Sequence, residues 1–68
     1  MKVTKEVLDG IKFVRESGKT NMFDRPRVIE LAMDNDYMET ARWIYAHKTE
    51  YAKGIFEGFE VDAPTDRN

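Results

Sequence analysis

The stretch Asp36-Tyr37-Met38-Glu39-Thr40-Ala41-Arg42-Trp43-Ile44-Tyr45-Ala46-His47-Lys48-Thr49-Glu50-Tyr51-Ala52-Lys53-Gly54-Ile55-Phe56-Glu57-Gly58-Phe59 decides the fold. On a wheel of about 100° per residue, Tyr37, Ala41, Ile44, Tyr45, Lys48, Tyr51, Ala52, Ile55, Phe56 and Phe59 share one face. That spacing predicts one long, aromatic-rich helix over 37–57. Asp36 opens it with Glu39 three positions on, a capping-box variant with Asp in the hydroxyl residue's place.

Two shorter helices are expected before it. Asp24 ahead of Arg25-Pro26-Arg27 reads as a helix start, because Asp accepts bonds from free backbone N–H groups and proline is tolerated in a first turn. That helix runs over 25–34, burying Val28, Ile29, Leu31 and Ala32, and stops where Asp34-Asn35 favour a turn. Earlier still, Val7, Ile11 and Val14, with Leu8 beside them, give the i, i+4, i+7 pattern of an amphipathic helix over 4–17. Thr4 caps it, Val3 is placed to staple onto Leu8, and Gly18 supplies a left-handed stop. Residues 60–68 contain Pro64, several acids and almost no apolar content, so they are expected to be a disordered acidic tail. The predicted fold is therefore all-α, a small three-helix domain over 1–59 with a long C-terminal helix as its spine.

The chain has 68 residues, which allows a single domain. At this size a chain buries only roughly 60% of the surface it exposes when unfolded, so a large enclosed active site is not expected. Such domains rely on a metal, disulfides, regular helix packing or self-association. Cysteine is absent, which removes disulfides, thiolate nucleophiles and cysteine-based zinc sites. Helix packing and oligomerisation remain. The lack of cysteine, together with an N-terminus that has no apolar signal region, suits the cytoplasm of a bacterial host. The longest apolar run is Trp43-Ile44-Tyr45-Ala46, far below the ~20 residues that span a bilayer.

Catalysis has little to work with. His47 is the only histidine and Ser17 the only serine, so no nucleophile–base pair stands out, and the chain is read as no enzyme. His47 and Glu50 lie one turn apart, but two residues do not make a metal site, and neither glycine-rich phosphate fingerprint occurs. No cofactor is expected.

Charge is unevenly spread within a net −2. Residues 12–27 carry a local excess of basic groups and residues 28–68 an excess of acids. The sequence pI of about 5.3 is unlike that of a general nucleic-acid binder. A helix-turn-helix over Val28 to His47 places Ala32 where a small residue belongs. It also puts Asp36 where glycine is favoured, Arg42 where an apolar residue would lock the second helix, and Glu39 and Glu50 on the recognition helix.

Two groups of residues are candidate sites. Around Thr20-Asn21-Met22-Phe23-Asp24, the side chains of Arg15, Lys19, Arg25 and Arg27 surround a helix N-terminus, and Thr20 and Asn21 add hydrogen-bonding groups; together they could hold a phosphate or carboxylate. The competing reading has Met22 and Phe23 plugging the core, Asp24 capping the helix and the arginines solvated. Separately, Trp43 and His47 lie roughly 80 to 120° off the main stripe of the last helix. With Phe13, which falls off the first helix's stripe, they define a second surface suited to a partner or to another copy of the chain. Alternatively, Trp43 folds over a side that the short second helix leaves open.

On Gly18, the pentapeptide Thr20-Asn21-Met22-Phe23-Asp24, the run Val28-Ile29-x-Leu31-Ala32 and the spacing Tyr51…Ile55…Gly58, the chain resembles a small family of unknown function encoded mainly by phages and prophages of Firmicutes. It departs from that pattern at Asp36, where a glycine commonly precedes the third helix, and in its acidic extension after Phe59. The resemblance implies context rather than chemistry: a compact phage accessory protein that binds something of the host's or the phage's own.

The leading expectation is a non-catalytic interaction module that counters host defence or adjusts host machinery through contact with a host or phage protein. The alternatives are a homo-oligomer that sequesters a small anionic, nucleotide-like ligand, and a helix-turn-helix DNA binder.

Overall fold

A computed structural model describes residues 1–61, ordered as β1 (Lys2–Val3), α1 (Lys5–Ser17), α2 (Arg25–Asp34), α3 (Met38–Ala46), α4 (Lys48–Glu57) and β2 (Glu60–Val61). The chain is mostly helical, as its periodicity implies, but it has four helices where three were expected. The long last helix is broken at His47, whose φ of −126° and ψ of 61° leave the helical region.

The first two helices follow their local signals. The Thr4 side chain accepts from the Val7 N–H at the start of α1, and Gly18, at φ 68°, ends it in the left-handed conformation. The Asp24 carboxylate accepts from the Arg27 N–H at the start of α2. At the far end of α2 the Tyr37 N–H donates to the Ala32 carbonyl at 2.8 Å and the Asp36 N–H to Met33 at 3.1 Å. These nested bonds form a Schellman stop, with Asp36 in its left-handed position at φ 68°.

A contact distant in sequence makes the break between α3 and α4. Arg25 Nη1 donates to the carbonyls of Ile44 at 3.1 Å and Tyr45 at 3.3 Å. In an unbroken helix those carbonyls would accept from the N–H groups of residues 48 and 49. The guanidinium instead satisfies the open end of α3, and the chain turns. His47 secures the turn: its Nδ1 lies 2.8 Å from the Trp43 carbonyl and its ring stacks on the indole, with centroids 4.8 Å apart.

The turn sends α4 back toward the loop between α1 and α2, where the Tyr51 hydroxyl donates to the Met22 carbonyl at 2.6 Å. Tyr51 is only 2% exposed, and burial pushes its phenol up to about 12. It completes a core built from Val7, Ile11 and Val14 of α1, Val28, Leu31 and Ala32 of α2, and Ala41 and Ile44 of α3. Where α1 meets α3 the approach is close. Gly10 leaves room there for the fully buried Thr40, whose hydroxyl donates to the carbonyls of Glu6 and Val7.

The two ends of the described chain meet. β1 and β2 pair in parallel, Lys2 with Glu60 and Val3 with Val61. The expected disordered tail does not include Glu60 and Val61, which this pairing holds, and the rest of that expectation falls on residues 62–68, outside the described residues. Two-residue strands carry no periodicity of their own, and Val3 reads from sequence as a staple although it is also a strand residue buried in the core.

Candidate functional site

The pentapeptide loop is built by its own polar groups. Asn21 Oδ1 accepts from the Phe23 N–H at 2.8 Å, an Asx turn, and the Asn21 carbonyl accepts from the Asp24 N–H at 2.9 Å. The Thr20 hydroxyl lies 3.4 Å from the Asn21 carbonyl, and the Met22 carbonyl receives Tyr51. Met22 is half-buried against the core, whereas Phe23 is 53% exposed rather than acting as a plug.

The basic side chains around this loop do not converge on one point. Arg25 is turned to the end of α3, as described, and Arg27 pairs with Glu30. The Asp24 carboxylate already occupies the start of α2. Arg15 and Lys19 are exposed and form no ion pair among the described residues. The distinctive loop thus has a structural role: it joins α1 to α2 and receives α4.

The second candidate surface also separates. Phe13 packs on Tyr37, at the start of α3, with ring centroids 5.2 Å apart. Trp43 and His47 sit at the other end of that helix, where the indole and the Phe59 ring meet nearly at right angles with centroids 6.0 Å apart. Trp43 is half-buried and packs against the core.

Four exposed or half-buried side chains that the periodicity reading placed in the core or passed over form a surface of their own. Between α2 and α3 lies a groove of about 490 Å³ lined by Ile29, Met33, Met38, Ala41 and Tyr45, with Arg42 at its rim. Tyr45 is 76% exposed and Met33 48%. Tyr45 was expected to face inward because an unbroken helix would align it with Tyr51 and Ile55. On α3 the inward residues are Thr40, Ala41 and Ile44, which leaves Tyr45 outside that stripe; the break at His47 then resets the phase, so Tyr51 and Gly54 face inward on α4. Phe56 is released to the outside for the same reason and is 81% exposed, its ring 5.3 Å from Phe23. Met33 and Met38, lying off the buried stripes, were the available signal in the sequence.

The start of α3, where a recognition helix would meet base edges, borders a concavity of about 340 Å³ that Glu6, Asp9, Asp36 and Glu39 line. Carboxylates there repel phosphates. Among the described residues no group of three His, Cys, Asp or Glu side chains could hold a metal ion, and no helix is long and apolar enough to cross a membrane.

In comparison with known proteins, residues 3–59 match the model of a family described as a domain of unknown function, DUF5049. No match was found among curated proteins or among solved structures.

Proposed function

We propose that this chain, which belongs to the DUF5049 family of domains of unknown function, is a non-catalytic phage accessory protein that acts by protein contact through its α2–α3 face. The supporting observation is the groove between those helices: Met33, Met38 and Tyr45 are exposed beside Ile29 and Ala41, and among the described residues Arg42 is the one charged residue that lines it. A small domain with little apolar material has no folding reason to leave these side chains in water, and contiguous exposed apolar surface marks interaction sites. The phage setting comes from the sequence resemblance, and a role in countering host defence or adjusting host machinery follows from that setting. Trp43 supports this face from behind, since it anchors the last turn of α3 to Phe59 and His47.

The test is affinity capture of the tagged chain from a bacterial host carrying the phage, compared with Tyr45→Glu. The chain is expected to retain one defined host or phage protein, and the variant to lose it while its far-UV circular dichroism and melting curve stay unchanged. A partner retained equally by the variant would contradict the reading. Sequestration of an anionic ligand would have to rely on Arg15 and Lys19, because Arg25 and Arg27 are engaged with carbonyls and with Glu30. It is the weaker reading for that reason.

A further inference from the structure

The α2–α3 groove is one part of a longer band in which exposed apolar side chains alternate with charged ones, Asp24, Arg27, Glu30 and Asp34 on α2 and Lys48 on α4. It shares Ile29 and Met33 with a concavity on the other flank of α2. That concavity shares Pro26 with a third, which Phe23 and Ala52 also line. Phe56 extends the band through its ring contact with Phe23. One continuous surface therefore runs from Phe56 across α2 to Tyr45.

We infer that in the free protein this band is covered by a second copy of the chain in a two-fold pair. The inference rests on the reading of this face as a protein contact, and it names the occupant. Area argues for it first. Phe23, Phe56, Met33, Met38 and Tyr45 are exposed by 53, 81, 48, 39 and 76%. At about 200 Å² for a large side chain that is roughly 600 Å², before Ile29 and Pro26 are added. A standard interface takes ~800 Å² from each partner, so the band supplies most of what a stable pair needs.

Charge argues for it next. The band carries both signs along its length, Arg27, Arg42 and Lys48 with Asp24, Glu30 and Asp34. A two-fold contact sets the same patch against itself, so each residue type must find its complement within the patch. A band holding both signs meets that condition, whereas a band of one sign would select a partner of the opposite charge. The net charge of −2 adds little repulsion between copies.

The experiment is sedimentation velocity on the full chain over roughly 1 µM to 1 mM, the range in which modest self-association is read. It is run beside Met33→Glu, Tyr45→Glu and, on α1 outside the band, Lys12→Glu, each checked for retained helicity. The wild-type chain and Lys12→Glu are expected to form a two-chain species as concentration rises. Each band variant should remain a single chain, with association weakened at least ~30-fold, as burying an unpaired carboxylate demands. A wild-type chain that stays single throughout, or a two-chain species untouched by both band variants, would overturn the inference. If the wild type stays single while Tyr45→Glu still releases a captured foreign protein, self-pairing falls and the protein-contact function stands. If the pair and the captured protein both survive in the variants, both readings fall together.

Discussion

The hydroxyl of Thr40 occupies the space that a side chain on Gly10 would fill. From there it donates to the Glu6 carbonyl at 3.0 Å and to the Val7 carbonyl at 3.3 Å. This contact sets how closely α1 crosses α3, and therefore how the α2–α3 face is presented. A Cβ on Gly10 would fall inside 3.0 Å of three Thr40 side-chain atoms, in a site with no room to yield. Gly10→Ala is expected to cost roughly 2–3 kcal/mol despite the better helix propensity of alanine. Thr40→Val, which keeps the shape and loses the donor, should cost about 1–2 kcal/mol. Urea unfolding of both variants checks the pair.

Tyr51 ties α4 to the pentapeptide loop, and its ionisation makes that tie sensitive to alkali. Its phenol ionises near 10 in the unfolded chain and near 12 when buried. Below pH 10 both states hold the proton and the contribution is intact. Between pH 10 and 12 the unfolded chain releases the proton first, so stability falls, by at most ~2–3 kcal/mol at about 1.4 kcal/mol per unit. Tyr51→Phe should lower stability at neutral pH by about 1–2 kcal/mol, since the Met22 carbonyl loses its donor, and should remove most of this alkaline slope. Thermal melts across pH 8 to 12 read both effects.

Asp36 holds a left-handed backbone, at φ 68°, in the stop that ends α2. Glycine adopts this conformation without the steric cost a side chain meets. Asp36→Gly is expected to raise stability by roughly 0.5–1 kcal/mol, against the usual entropic penalty of introducing glycine. It would also remove one carboxylate from the acidic concavity beside Glu6 and Asp9. A higher urea midpoint with an unchanged slope would show the effect.

Arg25 connects two elements that lie 19 residues apart, from the first turn of α2 to the last carbonyls of α3. Arg25→Ala is expected to destabilise the fold by about 1–2 kcal/mol and to loosen the junction at His47. Hydrogen exchange should show the change first at residues 47–51. If the side chain served a ligand alone, its removal would leave exchange at that junction untouched.

These residues also show which features were legible in the sequence. Thr4, Gly18, Asp24 and Pro26 act within one turn of themselves, so α1 and α2 were readable to within a residue. The break at His47 depends on Arg25, and the crossing at Gly10 depends on Thr40, and periodicity carries neither relationship. Missing the break put Phe56 inside, and the continuous stripe was drawn wide enough to take in Tyr45, when both face outward. The pentapeptide was visible as unusual, but its acceptors are consumed by the turn, which only the hydrogen bonds reveal. Trp43 looked surplus to a three-helix core because the element that covers it, Phe59, follows the turn and returns beside it.

The central claim is that the α2–α3 face is covered when the protein acts. Methionine oxidation footprinting tests it directly, because Met33 and Met38 both lie on that face and are exposed in the isolated chain, whereas Met22 is half-buried. The rates are compared between purified protein diluted until it is a single chain by sedimentation and the same chain inside its bacterial host. The account predicts that Met33 and Met38 become strongly protected in the cell while Met22 changes little. Equal oxidation of Met33 and Met38 in the two settings would contradict it.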